Sequence, residues 1–260
     1  MAQAVLEQGD NVVATARDVT KVQDLMTVHP GTALAWSLDV TDPAQIADAV
    51  VAAEARFGSV DVLVNNAGYG YRAAVEEGER EAVQTLFATN FFGPMSLIQA
   101  VLPGMRARRS GSIVNISSAG VRTGQPGSGY YAAAKLALEG LTAALRKEVK
   151  PLGITAMVVE PGGFRTDFAG RSLMQSHNPL DDYAETAGRR RKENINTHGH
   201  QRGDPAKAAQ ALISVVNSPQ PPFMLVLGPD ALTYFRKSLD GLSADLDAFE
   251  EISASTDISE

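Results

Sequence analysis

Val60-Asp61-Val62-Leu63-Val64-Asn65-Asn66-Ala67-Gly68 runs from a mostly apolar segment straight into two amides and two of the smallest residues. A short apolar run of this kind suits a strand buried on both faces. Small residues at its carboxyl end let a flat ligand approach the backbone. Similar runs recur at residues 11–16, 32–38, 111–116, 154–159 and 223–227. Helical segments fall between them. Thr41-Asp42-Pro43 combines a capping side chain with a first-turn proline and opens a helix to about Phe57. A second helix spans about Glu79 to Met105, with a break near Gly93-Pro94. A third runs from Gly129 to Val149, with Ala134, Leu138, Leu141, Leu145 and Val149 on one stripe. Asp204-Pro205 opens a fourth, to about Val216. Strands alternating with helices predict an α/β fold, a doubly wound parallel sheet with helices on both faces.

The 260 residues form one catalytic domain over about 1–240 in this reading. Residues 162–203 are long and polar for a connection and are expected to form a substrate lid. The acidic, Ser-rich stretch 241–260 is expected to be disordered. The chain has no cysteine, which excludes disulfides, thiolate catalysis and zinc–cysteine sites and fits a cytoplasmic location. Its four histidines form no helical metal pair, and His198 and His200 sit in a polar, Arg-rich stretch, so no metal is expected. A net charge of −7 argues against generic nucleic-acid binding. The basic run Arg189-Arg190-Arg191-Lys192 has no aromatic neighbours for stacking and reads as a solvated face. No apolar run approaches the length of a membrane span, and residues 1–8 do not form a signal peptide.

Tyr131-Ala-Ala-Ala-Lys135 is the strongest chemical signal. Four residues apart on a helix, the two side chains share one face. A free phenol titrates near 10, and a nearby ammonium lowers that value, which makes the phenol a general acid or base. Such a pair is common by chance, so its context carries the reading. The strand Ser112–Ile116 ends in Ser117-Ser118, at the edge where open α/β sheets bind ligands. A Gly-rich loop then turns back toward Tyr131, which brings Ser118 within reach of a substrate oxygen beside the phenol.

Asn65-Asn66-Ala67-Gly68, Ser118, Tyr131-x-x-x-Lys135 and Pro161-Gly162 together resemble the short-chain dehydrogenase/reductase family, in its order and spacing, over about residues 1–230. The resemblance implies a Rossmann-type fold and an NAD(P)-dependent oxidoreductase that interconverts alcohols and carbonyl compounds. Tyr131 resembles the family's catalytic acid/base. Lys135 resembles the residue that binds the nicotinamide ribose and lowers the Tyr pKa, and Ser118 the residue that orients the substrate oxygen. Asn90 resembles the residue whose backbone holds a relay water. Asn66, Ala67 and Gly68 resemble the segment beside the adenosine ribose, and Asp39-Val40 the pair at adenine. Pro161, Gly162, Phe164 and Thr166 belong to a run that resembles the nicotinamide-gripping loop. The resemblance also implies a homodimer or homotetramer through the two long helices.

Arg17 follows the strand at 11–16, where a cation accommodates the 2′-phosphate of NADP; Asp18, one residue later, is the alternative that would select NAD. NADP is the favoured cofactor. Phe164, Phe168, Leu173, Met174, Leu180 and Tyr183 are the apolar lid residues available to a hydrophobic ketone, aldehyde or alcohol. The chain departs from the family at its start, where the first strand and its Gly-rich turn are missing. The expectation is an incomplete chain, lacking about twenty residues. As given, it is expected to fold weakly and bind little dinucleotide. The competing functions are a non-catalytic cofactor sensor or scaffold, an inactive truncated fragment, and a methyltransferase on a similar sheet, which leaves the Tyr–Lys pair without a role.

Overall fold

The structure, a computed structural model, describes residues 1–170, 172–197 and 199–258. Arg171, His198 and the last two residues of the expected disordered tail, 259–260, lie outside the described residues. The strands in chain order are β1 (Val12–Ala16), β2 (Ala33–Ser37), β3 (Val62–Asn65), β4 (Gly70–Arg72), β5 (Gly111–Ile116), β6 (Ile154–Pro161), β7 (Leu173–Gln175) and β8 (Met224–Leu227). The helices begin with α1 (Ala2–Leu6), α2 (Asp24–Val28), α3 (Pro43–Phe57), α4 (Arg80–Phe87) and α5 (Gly93–Arg108). They continue with α6 (Gly129–Val149), α7 (Arg189–Thr197), α8 (Pro205–Val216), α9 (Pro229–Ala248) and α10 (Glu250–Ala254).

All six runs read as strands form strands, and their ladders are parallel. The main sheet has the order β3-β5-β6-β8. Alternate residues point to opposite faces. Ile113 and Ala156 pack with Ile98, Val101, Leu145 and Val149 from α5 and α6. Val114, Met157 and Val159 pack against Leu212 of α8. Helices therefore cover both faces, as the apolar runs require. β1 and β2 form a separate parallel pair. A cavity of about 140 Å³ lined by Thr15, Val40, Val64, Asn65, Asn66 and Ala67 lies between the two blocks.

Local signals account for the helix starts. Asp42 accepts from the N–H groups of Ala44 (2.9 Å) and Gln45 (3.3 Å), and Asp204 from Ala206 (2.8 Å). Each cap contributes about 1 kcal/mol. The break expected near Gly93-Pro94 is instead a π-helical turn at Ala88–Phe92 that joins α4 to α5. The helical stretch Arg80–Arg108 is long and apolar enough to cross a membrane by length and composition. Its Leu97, Ile98, Val101 and Met105 are spent on the core beside the sheet.

Two expectations need correction, and the segment expected as a lid gains detail. The stretch read as a disordered tail continues α9 to Ala248 and adds α10. Pro229 starts that helix, and Leu232, Phe235, Leu239, Leu242, Leu246 and Phe249 repeat at spacings of three and four, a helical pattern hidden among acidic residues. Residues 162–203, expected as a lid, contain β7, which pairs with β4, and Glu77 and Glu79 anchor the segment after β7. Glu77 receives Arg191 Nη1 (2.6 Å) and the N–H groups of Ala74 (2.7 Å) and Leu180 (2.9 Å). Glu79 receives Tyr71, Ser176 and His177. Arg191 is thus paired with a buried carboxylate, so the basic run is not simply a solvated face.

Candidate active site

A chain of buried side chains fixes α6 against the sheet. Asn65 Nδ2 donates to Asn115 Oδ1 (2.8 Å), Asn115 Nδ2 to Thr142 Oγ1 (2.8 Å), and Thr142 Oγ1 to the Leu138 carbonyl (2.6 Å). The first bond joins β3 to β5, the second joins β5 to α6, and the third closes within α6. A second clamp holds the strand end. Ser117 donates to Glu139 of α6, and Arg122 bridges Glu139 and Glu160 of β6. With the helix rotation set, Tyr131 and Lys135 both face the carboxyl edge of the sheet. They line one cavity of about 1160 Å³ together with Ser118, Gly68 and Gly162.

Burial dominates the chemistry of Tyr131. It pushes the phenol up to about 12, against the opposing pull of the Ser118 hydroxyl and the Arg72 charge. Lys135 is 4% exposed, and burial brings its ammonium down to about 8, partly offset by Glu139. Its Nζ donates to the Ile116 carbonyl at 2.8 Å. The cation that acts on the phenol is therefore Arg72, whose guanidinium carbon lies 5.9 Å from the ring centroid. Lys135 Nζ is held on the Gly68 side of the site, between the Ile116 carbonyl and the Gly68 backbone. Phe168 covers the ring edge, with centroids 5.7 Å apart.

Gly68 joins the second half of the site. A Cβ there would lie 3.0 Å from Asn90 Oδ1 and 3.2 Å from Lys135 Nζ, so glycine lets both polar groups close on the backbone. Asn90 is fully buried in the π-helical turn. Its side chain clamps Tyr69, accepting from the N–H (3.1 Å) and donating to the carbonyl (2.8 Å). π-Helical turns are frequent at functional sites.

The residues expected to hold a dinucleotide fall into two groups. Val40, Asn66 and Ala67 line the smaller cavity. Pro161, Gly162, Phe164 and Thr166 line the large one. A Cβ on Gly162 would sit 2.3 Å from Asp230 Oδ1, so that loop also depends on glycine. Asp39 is committed locally, accepting from Thr41 N (2.9 Å) and Oγ1 (2.7 Å). Arg17 is exposed at the end of β1, and its charge acts on Asp39 and Tyr69. Asp18 instead caps the next turn, accepting from Thr20 N (3.1 Å) and Oγ1 (2.6 Å).

Of the apolar lid residues, Phe164 and Phe168 reach the large cavity, whereas Met174 is 51% exposed. Tyr183 turns to Glu76 (2.7 Å). Arg72, Asn115, Thr142 and Glu77 were not singled out in the sequence. Asn115 alone left a trace, an amide inside an apolar strand. A lone Arg72 has no spacing pattern to reveal it.

A family model described as short chain dehydrogenase matches residues 1–176. The chain belongs to that family. Oxidoreductase BOA17 of Botryotinia fuckeliana is 37% identical over 259 residues, 97% of this chain and 92% of that protein. The crystal structure of a short-chain dehydrogenase from Streptomyces avermitilis superposes with a TM-score of 0.91 at 42% identity, covering 98% of this chain and 92% of that one. A gluconate 5-dehydrogenase from Burkholderia cenocepacia, solved with NADP and tartrate, gives a TM-score of 0.61 at 32% identity, covering 65% of this chain and 68% of the other. The short-chain dehydrogenase relationship extends over the segments that supply Ser118, Tyr131 and Lys135.

Proposed function

We propose that the chain is an NADP-dependent oxidoreductase that interconverts an alcohol and a carbonyl compound. One observation carries the reading. Ser118 and Tyr131 meet in a single cavity, and Lys135 and Asn90 converge on the Gly68 backbone beside it. A scaffold has no physical need for that set. Val40, Asn66 and Ala67 suit the adenosine side, and Lys135, Gly162, Phe164 and Thr166 the nicotinamide side. Asp18 is occupied by Thr20, which leaves Arg17 to favour a 2′-phosphate. A dinucleotide held by these residues would supply the hydride for carbonyl reduction and would accept it in alcohol oxidation.

The chain's own residues handle the proton. A phenol titrating near 12 is fully protonated at neutral pH, so Tyr131 Oη is an acid ready for carbonyl reduction. Ser118 Oγ donates a hydrogen bond to the same substrate oxygen, where negative charge develops. Arg72 lowers the cost of the phenolate left behind. Lys135 Nζ, titrating near 8, holds a proton close to the working pH on the Gly68 side of the site. Phe168 limits water at the ring. Alcohol oxidation needs the phenolate, so it rises with pH while reduction does not. A homodimer or homotetramer through α5 and α6 belongs to the same proposal, and sedimentation checks it.

The test is Tyr131→Phe, assayed by NADPH consumption with a panel of ketones and aldehydes. The expected loss is about 10²- to 10⁴-fold in turnover, with the melting temperature and NADPH affinity kept. Full turnover in the variant refutes the reading.

A further inference from the structure

The lid side of the Tyr131 cavity holds a cation with no counter-ion among the described residues. Arg72 ends β4, is 6% exposed, and its Nε and Nη1 meet no hydrogen-bond acceptor among those residues. A guanidinium carries five N–H donors and keeps its charge at neutral pH. Buried charges are ordinarily paired. The acids that follow it most closely in the chain are engaged elsewhere: Glu76 holds Tyr183, Glu77 holds Arg191, Ala74 and Leu180, and Glu79 holds Tyr71, Ser176 and His177. Arg72 lines the large cavity with Ser118 and Tyr131, and Arg190 and Arg202 share that wall. Asp167 and Asp230 line it too, and Asp230 receives the Gly163 N–H (2.7 Å). Arg190 lies close enough for its charge to act on Arg72. Arg190 is itself paired with Glu193 (3.4 Å), so the argument rests on Arg72, whose planar fork matches a carboxylate. A neutral, apolar substrate would leave Arg72 buried beside it without a partner.

We propose that Arg72 receives a carboxylate of the substrate, so that the pair interconverted at Tyr131 is an oxo acid and its hydroxy acid. This rests on the oxidoreductase reading and names its substrate class. The carboxylate takes no part in the bond changes. A hydride adds to the carbonyl carbon, and a proton from Tyr131 Oη completes the hydroxyl.

The test measures NADPH oxidation with 3-oxobutanoate and 4-oxopentanoate and with their ethyl esters, for the wild type, Arg72→Met and Arg72→Lys. In the wild type the acids have the higher kcat/KM. In Arg72→Met the acid-to-ester ratio of kcat/KM falls about 100-fold, and in Arg72→Lys it falls less, because an ammonium keeps the charge but not the fork. A second arm needs no turnover: succinate, at constant ionic strength, raises the melting temperature of the wild type but not of Arg72→Met. An unchanged acid-to-ester ratio overturns the proposal and leaves Arg72 acting through Tyr131. So does a wild type that succinate does not stabilise, or weaker NADPH binding in Arg72→Met, which assigns the cation to the cofactor. Succinate stabilisation that depends on Arg72, with neither acid nor ester reduced, upholds the anion site and sinks the oxidoreductase reading. Tyr131-dependent ester reduction with no carboxylate effect does the reverse.

Discussion

Replacing Lys135 by methionine is expected to make the protein more stable and less active at the same pH. The ammonium is buried, and burial brings its pKa from 10.5 down to about 8. At pH 7 the folded chain still holds that proton, at a cost of about 3 kcal/mol relative to the unfolded chain. The sign depends on which state binds the proton more tightly. The unfolded lysine does, so the group's full contribution is present above pH 10.5, is lost as the pH falls toward 8, and stays lost below. Methionine has a similar length and no charge. It gives up the 2.8 Å bond to the Ile116 carbonyl, which costs about 1–3 kcal/mol if that oxygen is left unsatisfied. The net gain at pH 7 is about 1 kcal/mol, a rise of about 2–4 °C in Tm for a domain of this size. The assay is circular-dichroism melting of both proteins from pH 7 to 10.5, with NADPH turnover measured alongside. The variant should melt higher at pH 7, lose its advantage between pH 8 and 10.5, and turn over about 100-fold or more slowly. A stability difference that does not change with pH would refute the assignment of a buried, strained ammonium.

Three further outcomes are expected. Arg17→Ala weakens NADPH binding about 10- to 100-fold while NADH binding changes little, read by fluorescence titration; equal weakening of both removes Arg17 from the phosphate. Glu77→Ala strands the Arg191 guanidinium and frees the N–H groups of Ala74 and Leu180, a loss of about 3–5 kcal/mol. Urea unfolding measures it, and faster tryptic cleavage within α7 accompanies it. Burial raises Glu160 above the usual carboxylate range, so the folded state holds this proton more tightly than the unfolded state, and the group's contribution is lost as pH rises above about 4.5. Glu160→Gln flattens the stability profile across that window, and an unchanged slope in urea titrations counts against the assignment.

Much of the site was legible because its residues sit at ends of elements. Asn66, Gly68, Ser118 and Gly162 each come just after an apolar strand, and strand ends of a parallel sheet share one edge. Tyr131 and Lys135 share a helix face by spacing alone. What escaped were contacts between segments distant in sequence. Arg72 meets Tyr131 across 59 residues, and Glu77 meets Arg191 across 114. No local period encodes such pairs. The tail was misread because acidic composition outweighed its apolar spacing.

The sequence by itself determined the alternation of strands and helices, the caps at Asp42 and Asp204, and the edge at which the chemistry gathers. These arise from burial on two faces, helical period and turn chemistry, all of which act over a few residues. Only the tertiary structure decided the protonation energies. Tyr131 is driven toward 12 and Lys135 toward 8 because folding removes water from both, and Arg72, distant in sequence, brings a charge beside the phenol. Desolvation and Coulomb interactions depend on what surrounds a group in space, and a linear order of residues does not specify that.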